Sequence, residues 1–113
     1  MDTTEKIRDQ MAAHDTETAL GEPEWWIYLE SGRSVEITYE SAGIAPEDGY
    51  CSVRLHCSEK EFDCGDYRTT CGVIDQCNTE SLRGRTVDDV KAEAARLATE
   101  LIEGHHETVS KKQ

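Results

Sequence analysis

The stretch EWWIYLE-SGR-SVEITYE, from Glu24 to Glu40, alternates apolar and polar residues, and this two-residue period constrains the fold more than any other feature. Successive side chains of a strand point to opposite faces of a sheet. Glu24–Glu30 and Ser34–Ser41 therefore read as a hairpin whose loop, Ser31-Gly32-Arg33, contains glycine. Pairing Glu30 with Ser34 sets Leu29 against Val35, Ile27 against Ile37 and Trp25 against Tyr39 on an inward face. Trp26 and Tyr28 then share the outward face with Glu36 and Thr38.

The same parity argument extends into Gly49–Cys77, the segment that holds all five cysteines. Cys51, Val53, Leu55 and Cys57 fall on one face, and Tyr50, Ser52, Arg54 and His56 on the other. Ser58–Glu61 reads as a four-residue hairpin loop, because an even loop keeps Cys57 opposite Phe62 and Leu55 opposite Cys64, all on the apolar face. On that reading Cys51, Cys57 and Cys64 are small core hydrophobes. Cys71 and Cys77 lie beyond Gly65 and Gly72, where the phase is open. The spacing C-x5-C-x6-C-x6-C-x5-C lacks the C-x2-C knuckle of structural zinc sites, so reduced thiols and no cofactor are expected. The alternative is zinc held by Cys64, Cys71 and Cys77 with His56 or the His105-His106 pair.

Two helices flank the strands. Residues 3–20 read as the first, capped by Thr3 or Thr4, with Ile7, Met11 and Leu20 as a thin apolar face and His14 along it. Residues 86–104 read as the second: Val87, Val90, Ala94, Leu97 and Leu101 step by three and four. Thr86 with Asp89 forms a capping box, and Gly104 suits the left-handed position after the last turn. Ala42–Gly49 and Asn78–Arg85 are connections. The expected fold is a single α+β domain over residues 1–113, with an N-terminal helix, a three- to four-stranded, mainly antiparallel sheet and a C-terminal helix on one face. Residues 1–2 and 107–113 are expected to fray.

The helix–strands–helix order resembles that of double-stranded RNA-binding domains. Those domains set a lysine-rich helix start against phosphate, whereas here the helix begins Thr86-Val87-Asp88-Asp89. The stretch RGRTVDDVKAEAARLATELI resembles the helix of HicB-type antitoxins, without that family's further strand. Neither likeness carries a specific motif, and no family is assigned on them.

Charge narrows the function. Twenty-four acidic residues against twelve basic ones give −12, distributed through every segment. Such a field repels nucleic acid and anionic lipid and attracts basic surfaces. No phosphate loop, H-E-x-x-H, G-x-S-x-G or paired-carboxylate signature is present, and His56 and Cys57 face opposite ways, so no enzyme is expected. An odd cysteine count, an acidic polar N-terminus and no long apolar run lead to a cytoplasmic, non-membrane expectation. In charge density the chain resembles phage-encoded DNA-mimic inhibitors of restriction or CRISPR systems. That likeness implies a basic, nucleic-acid-handling protein as partner. Asp89, Glu93, Glu100 and Glu103, along one helix face, are the candidate acidic contacts. Trp26, Tyr28, Arg54 and His56 are the candidate contacts of the outward sheet face, where aromatics and arginine, the residue types of interaction hot spots, meet a partner; the alternative is that the N-terminal helix or the second copy of a homodimer covers this face.

Overall fold

Four strands pair in chain order as one antiparallel sheet: β1 (Glu24–Tyr28), β2 (Ser34–Glu40), β3 (Tyr50–His56) and β4 (Val73–Asn78). Helix α1 (Thr3–Ala13) precedes the sheet, a short helix α2 (Glu59–Cys64) lies between β3 and β4, and α3 (Val87–Gly104) closes the chain. The fold is α+β, with the C-terminal helix packed on the sheet. The computed structural model describes residues 2–13, 24–40, 45–65 and 69–111. The sequence readings for His14, Leu20 and the rest of 14–23 lie outside them, as do those for 41–44.

The core lies between the inward sheet face and α3. Trp25, Ile27, Leu29, Val35, Ile37, Cys51, Val53 and Leu55 are all buried, as alternation requires. Above them α3 buries Val90, Ala94, Ala95, Ala98, Leu101 and Ile102. This stripe is wider than the one read from spacing and rotated away from Val87, which is exposed. The rotation follows from α1, which packs against α3 and β1 through buried Ile7 and Met11. A Thr4–Thr99 hydroxyl bond of 2.8 Å joins the two helices. The Trp25 indole N–H donates to the Met11 carbonyl, and the Lys91 ammonium lies 5.3 Å from the Trp25 ring centroid. Both longer helices thus occupy one side of the sheet.

Several local readings are corrected. The first hairpin closes two residues earlier: Tyr28 pairs with Ser34, Ile27 with Val35 and Trp25 with Ile37. Its loop is Glu30-Ser31-Gly32, closed by Leu29 and Arg33, because the last loop residue of this turn is left-handed and Gly32 supplies φ 95°. A slip of two leaves every side chain on its assigned face. Ser58–Glu61 is not a hairpin loop. The Ser58 hydroxyl accepts from the Glu61 N–H and the Glu61 carboxylate accepts from the Ser58 N–H, a capping box that starts α2. The partner of β3 is therefore β4, with Val53 opposite Cys77 and Leu55 opposite Asp75. At α1 the cap is Asp2, whose carboxylate accepts from the Glu5 N–H, rather than Thr3 or Thr4.

The end of α3 also differs. His106, not Gly104, takes the left-handed position (φ 56°), and the His106 and Glu107 N–H groups donate to Glu103 and Ile102 carbonyls. This is a Schellman reversal, and it turns the chain back toward β1. Over Glu107–Ser110 the expectation of a frayed tail gives way to docking: Val109 is buried and bridges Leu29. The Glu30 N–H donates to Thr108, and the Ser110 N–H to Tyr28.

Arg33, in the first hairpin, ties these pieces together. It meets the Glu61 carboxylate through two bonds of 2.8 and 2.7 Å and lies 3.4 Å from Glu107. The Arg33 bonds, helped by the Ser58 N–H, hold the Glu61 carboxyl down at about 2 against its ordinary 4.5. A depressed carboxyl stabilises the fold above its unfolded value, and that contribution fades as pH falls from about 4.5 toward about 2. Between those values the wild type is expected to lose about 1 kcal/mol more stability than Glu61→Gln, the group being partly exposed. Urea titrations at each pH measure it, and parallel profiles would refute it. Val109→Asp is expected to cost about 2 kcal/mol in the same assay at neutral pH; a cost within about 0.5 kcal/mol would mean that the tail is loose.

Candidate functional site

The outward face of the sheet is built by the residues that alternation leaves over. Cross-strand pairing sets Trp26, Glu36, Arg54 and Gln76 side by side in one row across the four strands. Tyr28, Ser34 and His56 form the next row. Trp26 is 37% and Tyr28 56% exposed, and neither α1 nor α3 lies on this side. The sequence register placed Tyr28 opposite Glu36; the observed register puts Trp26 there instead.

The four outward residues named from sequence are brought together, and Glu36 sits among them. Its carboxylate is 3.0 Å from His56 Nε2 and 3.8 Å from an Arg54 guanidinium nitrogen. The His56 ring lies tilted beside Trp26, with centroids 5.1 Å apart. The Trp26 indole N–H donates to Glu24, one strand turn away on the same face. At the far end, the Tyr50 hydroxyl donates to Glu40 at 2.6 Å, and that bond with the neighbouring carboxylate charge raises the Tyr50 hydroxyl above its usual range. Glu24, Glu36 and Glu40 join this face as further contacts that sequence reasoning does not single out. Their parity was readable, but their adjacency to Trp26, His56 and Tyr50 depends on register.

The acidic helix residues share one face of α3, opposite its buried stripe, but most are engaged locally. Asp89 accepts from the Thr86 N–H at 2.9 Å in the capping box, which lowers its carboxyl below the usual range. Glu93 accepts from the Glu80 N–H at 2.7 Å and pairs with Arg85 at 3.0 Å, anchoring the connection before the helix. Glu100 pairs with Arg96 one turn away at 2.7 Å. Glu103 is exposed near the helix end. This face carries no aromatic side chain.

The cysteines do not share one environment. Cys51 is fully buried, and burial pushes its thiol up to about 12. Cys77 is half-buried against the core from β4, raised by burial and then by Asp75 and Glu100. Cys57 is half-buried, and burial, then the Glu61 charge, raises it. Cys64 and Cys71 are exposed, so Cys64 is not the core residue that the hairpin reading made it. Cys77 belongs to the inward side of the sheet and His56 to the outward side, so the structure does not bring the alternative zinc set of Cys64, Cys71, Cys77 and His56 together. His105 bonds Asp75 at 3.1 Å instead. Among the described residues no three His, Cys, Asp or Glu side chains converge as metal ligands do. No described helix is long and apolar enough to cross a membrane.

No protein-family model, curated protein or solved structure matches the chain. The site is therefore read from its chemistry alone.

Purified protein is expected to carry well under one equivalent of zinc by elemental analysis, with a melting temperature indifferent to chelator. Stoichiometric zinc together with a chelator-induced fall in melting temperature would overturn the placement of these thiols.

Proposed function

We propose that this is a non-enzymatic binding protein whose acidic surface occupies a basic groove on a protein that handles nucleic acid. By filling the groove with carboxylates in place of phosphates it acts as an inhibitor of the anti-restriction or anti-CRISPR kind. The observation that carries the reading is the surplus of carboxylates. Twenty-four acids minus twelve lysines and arginines leaves twelve carboxylates with no basic residue of the chain to match them. Arg33, Arg54, Arg83, Arg85 and Arg96 each already face a carboxylate of the chain itself, and these pairings leave the surplus of acids unchanged. A surface of this kind steers toward positive potential and away from phosphate, so the partner is a basic protein and not nucleic acid itself.

Association dominated by unmatched charge weakens steeply with ionic strength, since the Debye length shrinks from about 14 Å near 50 mM to about 4 Å near 500 mM salt. A pull-down with the immobilised protein at about 50 mM salt is expected to recover a nucleic-acid-binding protein. Its affinity should fall on the order of tenfold or more by about 500 mM salt, and its nucleic acid should compete with this chain. Recovery of only neutral or acidic proteins, or a partner held equally well with its nucleic acid bound, would refute the reading.

A further inference from the structure

The binding reading leaves open which surface meets the partner, and two surfaces compete. The outer face of α3 carries carboxylates, engaged locally as those of the sheet face also are, but no aromatic side chain lies among them. The outward sheet face combines both kinds of group. Trp26 and Tyr28 are exposed there, with Glu24 bonded to the Trp26 indole and Glu36 directly across the strand. Glu40 stands at the far end of the same face, bonded to Tyr50.

Carboxylates fixed beside aromatic rings are what a guanidinium group requires. Its flat face stacks on the indole or phenol ring, while its edge donates paired N–H bonds to a carboxylate alongside. An ammonium group is a compact, strongly hydrated point charge and gains less from this arrangement. Among the described strand residues the charges on the face sum in the same direction: Glu24, Glu36 and Glu40 against one arginine, Arg54. A second copy of the chain would bring −12 against −12 and set these carboxylates toward their own counterparts.

We infer that the sheet face opposite α1 and α3 is the docking surface for the basic partner, and that Trp26 and Tyr28, with Glu24, Glu36 and Glu40, receive its arginine side chains. This rests on the acidic-binding reading above and assigns that function to the sheet rather than to the helix. Trp26, held against His56, is the stacking platform nearest the centre of the face. Arginines at the rim meet Glu24 and Glu40.

Nona-arginine and nona-lysine peptides of equal charge, added to isotope-labelled protein at about 50 mM salt, separate the possibilities by amide shift mapping. The expected shifts concentrate on β1–β3 and the Trp26 indole N–H, and nona-arginine binds more tightly than nona-lysine. Trp26→Ala/Tyr28→Ala is expected to weaken nona-arginine on the order of tenfold and to leave nona-lysine within about twofold. Glu100→Gln/Glu103→Gln should leave both peptides within about twofold. The spectrum of each variant reports its fold; Trp26→Leu, which keeps apolar bulk and removes the π face, is expected to lose the arginine preference even if the double variant unfolds. Shifts centred on α3, with losses in Glu100→Gln/Glu103→Gln, would overturn the inference and leave the acidic-binding reading standing. Binding of neither peptide would defeat that reading and the inference with it. Concentration-dependent shifts on the sheet face without peptide would identify a second copy as occupant and overturn the inference alone.

Discussion

The packing of one alanine-rich helix face onto three strands is the contact on which the other features depend. Ala94, Ala95 and Ala98 are small enough to let α3 lie close to the sheet and still leave room for α1 beside it. With few large side chains available, the chain fills the space under α3 with Ile27, Ile37, Val35, Val53 and Leu55, and closes the open end with Trp25. Trp25 is the costliest of these to bury, because its indole N–H needs an acceptor. α1 supplies that acceptor from the Met11 backbone. A helix with a thin apolar stripe is thus fixed by a hydrogen bond as well as by Ile7 and Met11. Because both longer helices are committed to this side, neither of them covers the outward side.

Side-chain parity was legible in the sequence, and register was not. Alternation from Trp25 to Leu29 and from Cys51 to Leu55 assigns inward and outward sets correctly because a strand has only two faces. Register needs the turn. Here the turn is governed by one left-handed position, at Gly32, whose place within the loop alternation cannot report. The same limit explains the site. Trp26, Tyr28, Arg54 and His56 follow from parity, whereas Glu36 as the group between Arg54 and His56 follows only from which residues stand opposite.

The missed elements are those without a period. α2 has six residues and no buried side chain, too short for a helical stripe; its one mark in the sequence is Ser58 with Glu61, a serine and a glutamate three apart. Residues 57–64 happen to alternate well enough to imitate a strand, and the capping bonds decide the matter. The tail has a single apolar residue, Val109, so nothing local marks it as ordered. Its docking is a tertiary effect: β1 offers unpaired backbone groups along its outer edge, and the Schellman turn at His106 delivers Thr108 and Ser110 to them. The fold class survives these errors because it depends on the two long periodic segments and the parity of the strands.

The placement of the scarce arginines links stability to binding. Arg33 joins the first hairpin loop to α2 and to the tail, Arg83 joins the connection before α3 to Asp48, and Arg85 fastens that connection to Glu93. Each sits at a junction between segments that share little core, where a charge-assisted bond substitutes for apolar contact. These pairings leave the chain's surplus of carboxylates unmatched, with self-repulsion across a chain of net charge −12. Salt then acts in opposite directions on one molecule. It screens the self-repulsion, which favours the folded chain, and on the proposed function it would screen the attraction to a basic partner. On the proposed function, a basic groove would do for the bound protein what salt does for the free one, neutralising the excess charge, so that the same unmatched carboxylates would drive both docking and stabilisation.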